Sequence, residues 1–144
     1  MNRFEDSIAW QKARALNRSV YLATRESPCA TDRDFCRQIR RASISVMNNI
    51  AEGFERFRQR EQHQFLSIAK GSAGEVRSML YAGLDLGYCS EDLFTALQSQ
   101  TREVTRLLAR WIVSIEERGI SPTQLREDGF DWDPQSPPAP STEH

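Results

Sequence analysis

No run of apolar residues in this 144-residue chain exceeds a few positions, far short of the roughly 20 a helical membrane span needs. The opening Met1-Asn2-Arg3-Phe4-Glu5-Asp6 has no apolar core of the kind a secretory signal carries. Cysteine is scarce: Cys29, Cys36 and Cys89 are three in number and form no C-x-x-C pair, which points away from a disulfide framework and from zinc spacing. These absences predict reduced thiols and a cytoplasmic location, with no membrane partner. Histidine is scarcer, with His63 and His144. Neither follows a glutamate by three, so the Glu-x-x-His pairs of a di-iron helical bundle are missing. His63, flanked by Arg60-Glu61-Gln62 and Gln64, is expected on a solvated face.

Signals of catalysis are missing as well. Gly71-Ser72-Ala73-Gly74 is the nearest approach to a phosphate loop, but it lacks the Lys-Ser/Thr ending and lies inside a helical pattern. Small residues there fit a close approach of two helices better. No serine sits in a strand-turn-helix context. Glu52 and Glu55 lie three apart on one helix face, with nothing to indicate a pocket that would raise a carboxyl pKa. The expectation is therefore no catalytic residue, no metal ligand and no cofactor: a protein that is not an enzyme.

What remains is helix. Hydrophobic residues make up 39% and charged residues 27%, normal for one globular domain, and no segment carries a convincing strand period. Ala9, Ala13, Leu16, Val20 and Ala23 mark a first helix from about Asp6 to Glu26, ended by Ser27-Pro28. A second begins near Thr31-Asp32, residue types that cap helix N-termini, and carries Phe35, Ile39, Ala42 and Val46. Its next positions in register are Asn49 and Gly53. The third runs from about Gln59 to Leu86, with Phe65, Ala69, Ser72, Val76, Met79, Gly83 and Leu86 in 4-3 spacing and Gly87 as a stop. The fourth opens at Ser90-Glu91-Asp92, carries Leu93, Leu97, Gln100, Val104, Leu107 and Trp111, and ends at Gly119. Short links make neighbours antiparallel, so the pattern predicts an all-α, up-down-up-down antiparallel four-helix bundle over residues 1–119. Residues 120–144, acidic and aromatic from Asp128 to Pro134 and Pro-rich from Ser136, are expected to form a flexible tail.

Charge is unevenly spread. Residues 1–77 hold 14 Lys and Arg against 9 Asp and Glu, whereas residues 78–144 hold 5 against 11, for a net charge of −1. From Arg33 to Arg60 there are seven arginines, three acids and no lysine. Arginine suits bidentate contact with phosphate or carboxylate. Arg37, Arg40 and Arg41 fall on the face of the second helix away from Ile39 and Val46. Arg56, Arg58 and Arg60 cluster at the turn that follows, interleaved with Phe54 and Phe57, which could stack on bases. Two readings stay open: a nucleic-acid surface, or a charged face whose arginines pair with acids of a neighbouring helix or subunit. Within the second helix, Asn49 and Gly53 continue the inward seam. Asn49 is expected to bond across the bundle or to a carbonyl at the turn, and Glu52 to pair with Arg41 or, better placed at i+4, Arg56. The same Asn49-Glu52-Gly53 cluster reads either as a buried polar clip or as a partner contact.

Several of these residues also carry a resemblance. Phe4-Glu5-Asp6, Trp10-Gln11-Lys12-Ala13 and Tyr21 come first, followed by Gln38-Ile39-Arg40-Arg41-Ala42, Ser45 and Asn49-Ile50-Ala51-Glu52-Gly53. Phe65 to Ser72, Glu75 and the Leu86-Gly87-Tyr88 turn complete the pattern. Over residues 4–116 this resembles a bacterial four-helix-bundle family encoded within intervening sequences of large-subunit ribosomal RNA genes. It is similar, too, to the accessory variability proteins of diversity-generating retroelements. Two positions depart from the family pattern: Met47-Asn48, where a proline and a small or polar residue are common, and Ala73-Gly74, where a larger apolar residue is usual. The resemblance implies a homopentamer with a positive surface that binds RNA or DNA and a reverse transcriptase, without catalysis of its own. Trp10, Tyr21, Phe94 and Trp111, beside the core stripes, are the expected interface rings.

Overall fold

The computed structural model describes residues 3–26 and 28–118. It contains four helices, α1 Ile8–Thr24, α2 Arg33–Phe54, α3 Gln59–Asp85 and α4 Glu91–Glu117, with short 3-10 turns at Phe4–Asp6 and Cys29–Thr31. Each helix packs on the next, and α4 closes back on α1. That is the all-α, four-helix bundle in sequential order that the apolar periods predict. The expected tail over residues 120–144, and Gly119 as the expected end of the bundle, lie outside the described residues.

Local chemistry sets the ends. Ser7, Asp32 and Ser90 each accept a backbone N–H of the following helical turn, from Trp10 at 3.3 Å, Phe35 at 3.1 Å and Leu93 at 3.1 Å. These bonds satisfy donors that a helix start leaves open. The Ser7 cap explains why α1 starts two residues later than expected: residues 4–6 are taken up by the 3-10 turn. Gly87 ends α3 at φ 76°, a left-handed conformation that costs glycine little. Around it, Tyr88 N–H bonds to the Gly83 carbonyl at 2.8 Å and Gly87 N–H to that of Leu84 at 3.1 Å, the paired bonds of a Schellman stop.

The core runs the length of the bundle in two clusters. One joins Ala9, Ala13, Val46, Ile50, Leu66, Ala69, Ala73, Val104, Leu108, Ile112 and Ile115. The other joins Leu16, Val20, Ile39, Ala42, Val76, Leu80 and Leu97. The expected stripes of α1 and α2 are largely these. On α3 and α4 the buried face is wider than a single stripe. Leu66, Ala73 and Leu80 are buried beside Ala69, Ser72 and Val76, whereas Leu86 is exposed. On α4, Thr101, Leu108, Ile112 and Ile115 are buried, while Leu93, Leu107 and Trp111 are partly buried against the core. A helix in a ring of four meets two neighbours, so it must bury more than the narrow seam of a two-stranded coil.

His63 shows the consequence. The solvated position expected for it is wrong: its side chain is fully buried, in register with Leu66 and Leu80. Its Nε2 lies 2.8 Å from Glu116 Oε2 on the last turn of α4, and Ser67 Oγ is 3.4 Å from its Nδ1. A buried ring nitrogen needs such a partner.

Small residues govern how closely α2 and α3 approach. A Cβ on Gly53 would stand 3.2 Å from Leu66 Cδ2 and 3.3 Å from Phe65 Cβ. Ser45 Oγ meets Ser72 Oγ at 2.8 Å across the same interface. Gly74 behaves differently from the expected close-packing role, since a Cβ there meets nothing within 4 Å. Gly71, Ser72 and Ala73 are buried as expected.

At the opposite end, the α3–α4 turn is clasped to the start of α2. Tyr88 OH donates to Asp32 Oδ2 at 2.6 Å, and the Phe35 and Tyr88 rings meet edge-on at 5.1 Å. The tyrosine bond, then the Phe35 N–H, holds the Asp32 carboxyl below its ordinary range. The native state therefore favours the carboxylate. Its contribution is present above the unfolded pKa and is lost as pH falls through the lower folded value.

Three expectations follow from this packing and are checked by denaturation. Gly74→Ala should stabilise the fold by about 0.5–1 kcal/mol, the helix-propensity gain at an uncrowded site. Gly53→Ala should destabilise it despite the same gain, because Phe65 Cβ cannot retreat without moving α3. Tyr88→Phe should lower the melting temperature at pH 7, and the difference from the parent should begin to shrink as pH falls through the ordinary carboxylate range, about 4, and close below the lower folded value of Asp32. A constant difference down to pH 2 would show that the contribution of the hydroxyl does not depend on the charge of Asp32.

Candidate functional site

α1 ends and α2 begins at the same end of the bundle, and the two form an open groove of about 710 Å³ there. Five arginines line it: Arg25 at the end of α1, Arg33 at the first position of α2, then Arg37, Arg40 and Arg41. Tyr21, Thr24, Ala30 and Cys36 form the rest of the wall. Arg37, Arg40 and Arg41 share a face of α2, as their spacing predicts. Arg33 and Arg25 join them because the short Cys29–Thr31 connection folds α1 against α2.

Arg40 is the most firmly held. Its Nε donates to Thr24 Oγ1 at 2.8 Å, and its guanidinium carbon lies 4.8 Å from the Tyr21 ring centre. Stacking of this kind leaves the remaining N–H groups free to bond elsewhere. Thr24 Oγ1 in turn donates to the Val20 carbonyl at 2.8 Å, so the contact is tied to the α1 backbone. Arg37 pairs with Asp34. Among the described residues, Arg25, Arg33, Arg40 and Arg41 have no carboxylate partner. Asp32, the other acid at this end of α2, is engaged by Tyr88 and by the Phe35 N–H instead. Five like charges with one paired carboxylate among them raise a positive potential, and a cleft focuses it.

Beneath the groove, Cys36 Sγ donates to the Cys29 carbonyl at 3.2 Å and contacts the Thr24 carbonyl at 3.5 Å, with Cys29 Sγ at 3.7 Å. Burial, reinforced by Cys36, pushes the Cys29 thiol up to about 12. It stays a thiol at neutral pH and is no nucleophile there. Among the described residues, no group of three His, Cys, Asp or Glu side chains is placed to hold a metal ion, and no helix is long and apolar enough to cross a membrane.

The remaining expected residues lie elsewhere. Arg56, Arg58 and Arg60 sit at the α2–α3 corner, about 25 Å along α2 from the groove at 1.5 Å per residue. The run of seven arginines is therefore two clusters at opposite ends of the molecule. Arg56 pairs with Glu52 at 2.7 Å, the i+4 partner expected, and lies over the Phe65 ring at 4.9 Å. Arg60 is engaged too. Asn49 donates to the Ser45 carbonyl at 2.9 Å and to Ser45 Oγ at 3.0 Å. It thus reaches α3 through the Ser45–Ser72 contact rather than directly. Gly53 faces inward as expected, and its carbonyl accepts from Gln62 Nε2 at 3.2 Å. Asn49 and Gly53 are thereby parts of the α2–α3 seam.

The four rings expected at an interface are partly covered within the chain. Trp10 meets Phe4 at 5.1 Å and Arg14 at 5.7 Å, Trp111 meets Phe54 at 6.3 Å, and Phe94 meets Tyr81 at 5.0 Å. Tyr21 carries Arg40.

Residues 5–110 match the 23S rRNA-intervening sequence protein family. No curated protein matches the chain. A crystal structure of a protein of unknown function from the S23 ribosomal protein family of Bacteroides thetaiotaomicron has a similar fold. Its TM-score is 0.69 at 21% identity, covering 78% of this chain and 98% of that one. At that identity the likeness is one of fold. The family match spans most of the bundle, from the first 3-10 turn to the last third of α4, and the chain belongs to the 23S rRNA-intervening sequence protein family.

Proposed function

We propose that this chain is a non-catalytic nucleic-acid-binding protein that grips the phosphate backbone in the α1–α2 groove. The observation that carries the reading is the groove itself: five guanidinium groups on one open cleft, four of them without a carboxylate partner among the described residues. Guanidinium forks match phosphate oxygens two at a time. The arginines come from a helix end and a helix face, without the side-chain array of a groove-reading recognition helix, so contact is with backbone charge and sequence is read little. An accessory role beside a reverse transcriptase, and assembly into a homopentamer that repeats the groove around a ring, rest on the sequence resemblance. A second reading, a protein–protein scaffold without nucleic acid, is favoured by the pairing of Arg37 with Asp34 and of Arg56 with Glu52.

Fluorescence anisotropy with several unrelated RNA and DNA oligonucleotides across a salt series separates the two. Arg33→Ala combined with Arg41→Ala should weaken binding to all of them about equally. The slope of log affinity against log salt should become shallower by about 0.7–0.9 for each phosphate that the variant no longer neutralises. Absence of binding at low salt would leave the scaffold reading. Light scattering should show an oligomer at micromolar concentration, and a stable monomer would overturn the assembly.

A further inference from the structure

A second open groove, of about 270 Å³, runs along α4, lined by Phe94, Thr95, Gln98, Ser99, Arg102 and Arg106. It shares no residue with the arginine groove of α1 and α2. Positions 94, 98, 102 and 106 recur every four residues and so follow one face of the helix. Arg102 and Arg106 are exposed and, among the described residues, have no carboxylate partner. Glu103, the acid between them, is turned to Lys12 of α1 at 3.5 Å. Thr95 and Ser99 add hydroxyls, and no carboxylate stands among these lining residues. A donor-rich wall free of acids selects an anion.

Gln98 is an independent sign of a missing partner. Its side chain is 3% exposed, and its Nε2 donates to the Arg77 carbonyl of α3 at 3.0 Å. A carbonyl only accepts, so this bond fixes which end of the amide is nitrogen. The other end, Oε1, is buried with no donor among the described residues. Arg77 Nε is buried and unpaired as well, and the two do not meet. Folded proteins leave few such groups unsatisfied. Arg102, one helical turn on from Gln98, has donors and no acceptor. An anion that draws Arg102 over the groove brings its fork to the Gln98 amide. One N–H then meets Oε1 while the others hold the anion.

Phe94 forms the apolar end of the groove, half-buried, with the Tyr81 ring of α3 edge-on at 5.0 Å. Helical side chains lean toward the N-terminus, so both guanidinium groups reach back toward this ring. Two forks suit the several oxygens of a phosphate monoester, and an aromatic platform suits a flat base. We infer that the α4 groove binds a nucleoside monophosphate. The base lies on Phe94, the phosphate lies between Arg102 and Arg106, and Gln98 is a positioning residue for Arg102. This site takes a single nucleotide and does not rest on the reading of the α1–α2 groove.

Amide NMR of the full chain, titrated in turn with adenosine 5′-monophosphate, inorganic phosphate and adenosine, tests the assignment. The nucleotide should shift the signals of residues 94–106 saturably and leave those of residues 33–41 in place. Inorganic phosphate, which lacks the stacking base, should bind the same residues about tenfold more weakly or worse. Adenosine, without the charge, should not saturate the site. Arg102→Ala with Arg106→Ala should abolish the shifts, and circular dichroism should show the helices intact. Arg102→Lys keeps the charge but not the fork, and should weaken nucleotide binding about tenfold. No shift at residues 94–106 would overturn the proposal. Equal affinity for inorganic phosphate would do the same, leaving an adventitious ion only. Shifts confined to residues 33–41 would assign the nucleotide to the α1–α2 groove. Signals of residues 94–106 that move with protein concentration alone would make this face a contact between copies. Either of these last results refutes the α4 site.

Discussion

Where α2 meets α3, small groups replace side-chain bulk: a Cβ on Gly53 would crowd Leu66 and Phe65 at 3.2 and 3.3 Å, and two serine hydroxyls, Ser45 and Ser72, touch at 2.8 Å. That close approach makes a short, tight corner after Phe54, because α3 starts five residues later already alongside α2. The corner in turn fixes where Arg56, Phe57 and Arg58 project. It also brings His63 into the interior, where α4 must supply a partner from its last turn. Packing and the placement of surface charge at this corner thus depend on one steric constraint.

The other end is governed by polar satisfaction. Asp32 caps α2 and accepts the Tyr88 hydroxyl, so one carboxylate joins a helix start to the α3–α4 turn. An acid committed in this way is not available to neutralise the arginines that follow it. The groove keeps its positive character because Asp32 is committed to the clasp, and Asp34 neutralises only one of the five arginines, Arg37. Arg40, anchored by Thr24 and Tyr21, then sits in a defined position among more exposed arginines. Preorganised charge of this kind favours an anion at little cost in side-chain ordering.

Between these ends, the core is built from Ala, Val, Leu and Ile, with few large rings fully enclosed. Among the described residues, the aromatic side chains lie at the margins; Phe57 is fully exposed, whereas Trp10, Tyr21, Phe94 and Trp111 are each partly covered by a ring or an arginine of the same chain. Four helices in a closed ring leave a narrow interior, and small aliphatic side chains fill it at the density interiors require.

Much of this is legible in the residues. Helix number and order, the caps at Asp32 and Ser90, the glycine stop at Gly87, the inward Gly53 and the Glu52–Arg56 pair all follow from periodicity or from spacings within one helix. These are local properties, decided by 3.6 residues per turn and by which side chains satisfy helix ends. Three things are not. His63 looks solvated when each helix is given one apolar stripe, whereas a helix in a ring of four buries two. The arginine run looks like one patch because sequence proximity hides a separation of about 25 Å along a helix. Arg25 joins the groove from a different helix. Each depends on which neighbour covers which face, a long-range matter of packing that no local spacing encodes.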